Sequence, residues 1–119
     1  MSRPHPSIYH LTTPDAWEAA RAAGAYTAPS LASEGFIHAS TPAQVEGSAN
    51  RFFEGQPTLL ALELDPGRLR SELRWDLSSH SADPFPHVYG PIDLDAVVAV
   101  VAWDRGDDGR FRWPPAGRP

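Results

Sequence analysis

The sequence predicts a single α+β domain, and three observations carry that prediction. A chain of 119 residues matches the usual size of one compact domain and leaves no room for a second catalytic unit. Hydrophobic residues make up 41%, with four Trp, five Phe and three Tyr, enough to fill a core and to exclude wholesale disorder. Short stretches of strand-like pattern are interspersed with two segments of helical periodicity, and no repeat, low-complexity tract or linker divides them. The domain is expected over residues 7–113, with 1–6 disordered or loosely attached and 114–119 a frayed tail.

Ser7-Ile8-Tyr9-His10-Leu11 reads as the first strand, with Ile8 and His10 on one face and Tyr9 and Leu11 on the other. Thr13 is a suitable N-cap and Pro14 suits the first helical position, so a helix runs through Trp17 and Ala20 to a stop at Gly24. An irregular connection holding Ser30 and Leu31 precedes a short strand, Phe36–Ala39. Thr41-Pro42-Ala43-Gln44 has a capping-box pattern, and Val45, Ala49, Phe52 and Phe53 give a second helix an apolar face before it ends near Gly55. Thr58–Leu64 is too short for a helix between its breakers and reads as a central strand covered on both faces. After the turn Asp65-Pro66-Gly67, Leu73 and Trp75 alternate with Glu72, Arg74 and Asp76 as in a half-buried strand. Ser78–Pro86 reads as a polar loop and His87-Val88-Tyr89 as a short extended piece. Ala96–Trp103 is a β-branched strand that turns through Asp104–Gly109 into Arg110–Trp113.

Composition narrows the chemistry. With no cysteine there is no thiolate nucleophile and no Cys-based metal site. A net charge of −5 with scattered arginines disfavours extended nucleic-acid binding, although two or three Arg could hold a small nucleotide. The N-terminus lacks a signal-peptide core and no apolar run approaches the roughly 18 residues of a membrane span. A soluble, cytoplasmic protein with no membrane partner is expected.

His10, His38 and His87 each sit at or beside the end of a short strand, where paired strands present side chains to one mouth. Tyr89 stands next to the third, and Ser30, Ser40 and Asp76 are possible helpers. No HExxH or short ligand spacing accompanies the histidines, so no metal is expected. His5 and His80, in Pro- and Ser-rich surroundings, are poor candidates. Ser40 lacks a G-x-S-x-G elbow and reads as a helix-capping oxygen. Trp17, Trp75 and Phe52 read as core.

Ile8-Tyr9-His10-Leu11, Glu34-Gly35-Phe36-Ile37-His38-Ala39-Ser40, Ala49-Asn50-Arg51-Phe52-Phe53, Leu73-Arg74-Trp75-Asp76 and Phe85-Pro86-His87-Val88-Tyr89-Gly90-Pro91 together resemble the bacterial family called domain of unknown function 952. The resemblance runs from about Ile8 to Trp103. That family is in turn similar to the ADP-ribosyltransferase superfamily, which implies a split, strongly bent mixed or antiparallel sheet with two main helices around an NAD cleft. Tyr9-His10 resembles the opening strand of poly(ADP-ribose) polymerase-type transferases, which implies that His10 binds the adenosine ribose. Gly35–Ser40 and Ser48–Arg51 resemble the later strand and helix of those enzymes, with Ile37 at the position of the Tyr that stacks on nicotinamide and His38 beside it. Their late-strand Glu has no counterpart between Ala96 and Val101, where Asp76, Asp93 or Asp95 would have to substitute. A branch that moves an RNA 2′-phosphate onto NAD uses His and Arg in its place.

What the resemblance implies is an ADP-ribosyl or 2′-phosphoryl transferase with NAD as substrate. His10, His38 and His87 would be catalytic, and His10, Ser30, Ser40, Arg51, Arg74 and Tyr89 would hold the nucleotide. The alternative is a non-catalytic module that binds a nucleotide or other small molecule. Either reading expects His10, His38, His87 and Tyr89 to line one pocket.

Overall fold

The strands pair entirely antiparallel, and the one that its pattern marks as central, Thr58–Leu64, lies in the middle of one three-stranded sheet. The computed structural model describes residues 6–78 and 81–115. His5, His80 and the termini at 1–5 and 116–119 lie outside the described residues. Strands β1 (Ile8–Thr12), β2 (Ala25–Tyr26), β3 (Ile37–His38), β4 (Thr58–Leu64), β5 (Glu72–Ser78), β6 (Ser81–Tyr89), β7 (Ile92–Asp93) and β8 (Val97–Asp104) form three sheets. Their orders are β1-β4-β8, β2-β7 and β3-β6-β5. Three helices accompany them, α1 (Pro14–Ala23), α2 (Pro29–Glu34) and α3 (Val45–Phe52). A bridge between Tyr9 and Ser40, with both backbone bonds at 2.8 Å, ties the first sheet to the third.

Because side chains alternate along a strand, β4 feeds two cores. Leu62 and Leu64 pack with Ile8, Tyr26, Ile37, Val88 and Ile92 on one side. Leu59 and Ala61 pack with Leu11, Val45, Ala49, Val101, Trp103 and Phe111 on the other. His10 pairs with Leu62 in the β1–β4 register and therefore points toward the first core.

Local chemistry sets the helices. Thr13 Oγ1 accepts from the Ala16 amide at 3.2 Å, Pro14 opens α1, and Gly24 closes it at φ 89°. The expected irregular connection around Ser30 is instead α2, opened by Pro29 and closed by Gly35 at φ 91°. Six residues are too few to display a helical period. In α3 the helix proper begins at Val45, after a turn through 42–44 in which Gln44 Oε1 accepts from the Thr41 amide at 3.0 Å. Ser40 is not the cap, since its Oγ lies 2.8 Å from Ser48 Oγ.

Three further sequence expectations are corrected. The polar loop Ser78–Pro86 belongs largely to β6, the centre of the third sheet. Pro84 and Pro86 have no N–H to donate and are tolerated because β3 ladders only with His87 and Val88; beyond that ladder their carbonyls are used instead, Pro86 accepting from the Ala39 amide at 3.0 Å and Pro84 from Gln44 Nε2 at 2.9 Å. The expected return strand Arg110–Trp113 is not a strand; it folds back so that Phe111 is buried and Trp103 Nε1 donates to the Arg112 carbonyl at 3.0 Å. Trp75 and Phe52 are not core, being 50% and 63% exposed. The pair β2–β7 had no sequence signal.

Asn50 takes the place of that missing strand partner. Its amide nitrogen donates to the Phe111 carbonyl and its carbonyl accepts from the Phe111 amide, both at 2.9 Å. Asn50→Ala removes both bonds beside a fully buried ring, so a loss of about 2 kcal/mol is expected in urea unfolding.

Candidate functional site

The third sheet concentrates polar and aromatic chemistry on one face. In its register His38 lies opposite His87, and His87 opposite Arg74. Alternation then puts Phe36 with His38, Tyr89 with His87, and Glu72 and Asp76 with Arg74. Ile37, Val88 and Pro86 take the other face and are buried.

Asp76 is the hinge of the arrangement. Its Oδ2 accepts from His87 Nδ1 at 2.8 Å and from the Tyr89 hydroxyl at 2.6 Å. These bonds, that of Tyr89 first and that of His87 second, hold the Asp76 carboxyl below the usual carboxylate range, while the carboxylate pushes the Tyr89 phenol up. No buried side-chain nitrogen or oxygen among the described residues lacks a partner. Among the described residues neither His87 Nε2 nor Asp76 Oδ1 has a hydrogen-bond partner; the His87 ring is 7% exposed, so its Nε2 stands at the surface of a largely buried ring.

Aromatic contacts fix the imidazole planes. Phe36 stacks on His87 with centroids 4.1 Å apart and planes at 15°. His38 meets His87 edge-on at 5.2 Å. His38 Nε2 lies 3.1 Å from Glu34 Oε2, an exposed pair that orients the ring but adds little stability. Arg74 places its guanidinium 4.5 Å from the Tyr89 ring centre and pairs with both oxygens of Glu72 at 2.8 and 3.0 Å. The result is two imidazoles, each with a carboxylate, beside a cation lying on a phenol.

His10 does not share this face. It is 7% exposed, with Nδ1 at 2.5 Å from the His38 carbonyl and Nε2 at 2.8 Å from the Tyr26 hydroxyl, whose oxygen lies 2.9 Å from Thr12 Oγ1. A carbonyl can only accept, so Nδ1 carries the proton of the neutral ring. Burial pushes the imidazole down from 6.5 to about 4, against the bond to the His38 carbonyl, which raises it. The unfolded chain therefore takes up this proton first. Stability is full above pH 6.5, falls as pH drops toward about 4, and is unaffected by this group below that. The expected loss is ~3 kcal/mol across that window, and urea unfolding between neutral pH and pH 4 checks it.

The other expected site residues are dispersed. Ser30 Oγ donates to the Phe36 carbonyl at 2.8 Å, Ser40 bonds Ser48, and Arg51 lies exposed on α3 with its guanidinium 5.8 Å from the Phe52 ring. The structure thus brings together His38, His87, Tyr89 and Arg74, with Asp76 as organiser, and puts His10 beneath them as the support of the His38 backbone. Phe36 and Glu34 were not singled out by sequence; Phe36 lies two residues before His38, a spacing that shares a strand face. Neither of two clefts, of about 350 and 440 Å³, is lined by the imidazoles; the first runs along Ile8, Pro42, Leu73 and Trp75, the second along Trp103, Arg105, Arg110 and Arg112. Among the described residues no three His, Cys, Asp or Glu side chains are grouped to hold a metal ion, and no helix is long and apolar enough to cross a membrane.

A family model described as "Protein of unknown function (DUF952)" matches residues 11–100. No curated protein matches the chain. The crystal structure of protein CC0527 from Caulobacter crescentus is 30% identical, with 89% of this chain and 93% of that one covered and a TM-score of 0.81. The solution NMR structure of the same protein, also 30% identical, covers 87% and 90% at a TM-score of 0.75.

Proposed function

The chain belongs to the DUF952 family of proteins of unknown function, and from that premise we propose that the imidazole face of its third sheet binds a nucleotide of the NAD type and transfers a group from it. The observation that carries this reading is the Asp76-organised cluster. One carboxylate fixes both His87 and Tyr89, and the second nitrogen of His87 has no partner among the described residues.

Each part has a chemical use. Phe36, His38 and the Tyr89 ring offer π-faces to a base or nicotinamide. Arg74, already on Tyr89, supplies positive charge to a phosphate. In the transfer, an acceptor hydroxyl attacks the ribose C1′, the bond to nicotinamide breaks with its electron pair leaving on the ring nitrogen, and the hydroxyl proton passes to His87 Nε2. Asp76 holds His87 in the tautomer that can receive that proton, and its Oδ1 gives the developing sugar cation a negative partner. His10 is a positioning residue, acting through the His38 carbonyl. The division into three antiparallel sheets, with the Tyr9–Ser40 bridge joining two, supports an ADP-ribosyltransferase-like bend. A chain without cysteine suits the reducing cytoplasm in which we place this reaction.

A second reading, binding without turnover, is favoured by one observation: β8 offers no carboxylate between Val97 and Trp103. Calorimetry with NAD, ADP-ribose and nucleoside phosphates, followed by a nicotinamide-release assay, separates the two. Binding with release supports transfer, and binding alone supports the second reading. No heat with any of these ligands at millimolar concentration rejects both.

A further inference from the structure

We propose that the outer edge of β5 is an interface between two copies of this chain, paired antiparallel about a two-fold axis at Trp75. The inference does not rest on the nucleotide reading.

Strand β5 bonds β6 on one side only, and among the described residues no backbone group pairs with its other edge. A seven-residue edge is a template for another strand, and soluble proteins blunt such edges with Pro, with charged side chains, above all Lys, with a bulge or with a covering element. Here the register irregularity falls only at the far end, between Asp76 and Ser78, and the charges Glu72, Arg74 and Asp76 alternate in sign. Glu72–Ser78 contains neither Pro nor Lys. It instead exposes apolar side chains: Trp75 at 50% and Leu77 at 73% are two of the four large hydrophobics exposed among the described residues. Both share a face with Leu73.

Charge and the exposed apolar residues together select a second copy and its register: an axis at Leu73 would also pair Glu72 with Arg74, but it leaves Leu77, 73% exposed, uncovered. With the axis at Trp75, Leu73 of each copy faces Leu77 of the other and Trp75 faces Trp75, so the apolar face matches itself. On the opposite face Arg74 meets Asp76 twice, once in each direction. An axis one residue earlier would set Arg74 against Arg74 and Glu72 against Asp76, both like-charged. The Trp75 register also carries the partner's Leu77 over Leu73, at the wall of the 350 Å³ cleft that Leu73 and Trp75 line with Ile8, Pro42 and Pro66. An isologous dimer of this kind joins two three-stranded sheets into one of six strands.

Sedimentation equilibrium of the full chain tests the proposal, with a dimer expected. Arg74→Asp sets two Asp pairs across the axis and Asp76→Arg sets two Arg pairs, so each variant alone should self-associate roughly tenfold more weakly. Mixed in equal amounts they restore both opposite-charge pairs and should form a heterodimer. A monomeric wild type, single variants that dimerise normally, or a mixture of folded variants that stays monomeric would overturn the interface. Because the chain has no cysteine, Leu73→Cys and Leu77→Cys give an independent arm that leaves Arg74 and Asp76 intact. Under mild oxidation they should cross-link only when mixed, and cross-linking of either alone, or of neither combination, would overturn the register.

Discussion

His10→Ala is expected to lower the unfolding free energy by about 3 kcal/mol, or Tm by about 10–15 °C, one of the two largest effects of a single substitution in this account. The ring is buried and bonded at both nitrogens, so truncation strips the His38 carbonyl of its imidazole donor, leaves the Tyr26 hydroxyl with Thr12 alone, and opens a hole against Leu62. His10→Asn, whose amide can still donate to the His38 carbonyl, should lose less. Thermal and urea unfolding of both variants checks the ordering. A stability-neutral His10→Ala, the behaviour of a solvent-facing ligand group, would contradict the placement of this residue.

His87→Gln is expected to reduce nicotinamide release by roughly 10²–10⁴-fold, the span that a positioned general base supplies. Stability should change far less than in His10→Ala, because the replacement keeps bulk against Phe36 and an amide donor for Asp76. The pH profile is the second readout. Asp76 is held ionised below the usual carboxylate range, so its support of His87 and Tyr89 is present above that range and is lost only as pH falls through its lowered value. Unchanged release by His87→Gln would remove the imidazole from the reaction.

The legibility of this chain followed the reach of its patterns. β1, α1, β4 and β8 were visible because each has a period or cap that operates within ten residues, such as Thr13-Pro14 and Gly24 around α1. β2 and β7, two residues each, and the six residues of α2 are too short for any period, and they exist because tertiary pairing holds them. β6 was hidden by Pro84 and Pro86, which argue against a central strand until the shortness of β3 is known. At the site, the convergence of His38, His87 and Tyr89 was anticipated from strand ends. The inward turn of His10 was not, although its share of a face with Ile8 already pointed toward the core. Asp76 was one acid among several in sequence. Only the fold, which carries it across to both His87 and Tyr89, shows which acid organises the face.

The central claim, that this imidazole face is the ligand site, is tested most directly by imidazole nitrogen NMR during titration with NAD. The His38 and His87 ring resonances are expected to move together and saturate at one ligand concentration. Unchanged His38 and His87 signals at millimolar NAD would contradict it, as would shifts confined to residues lining the Arg105–Arg112 cleft.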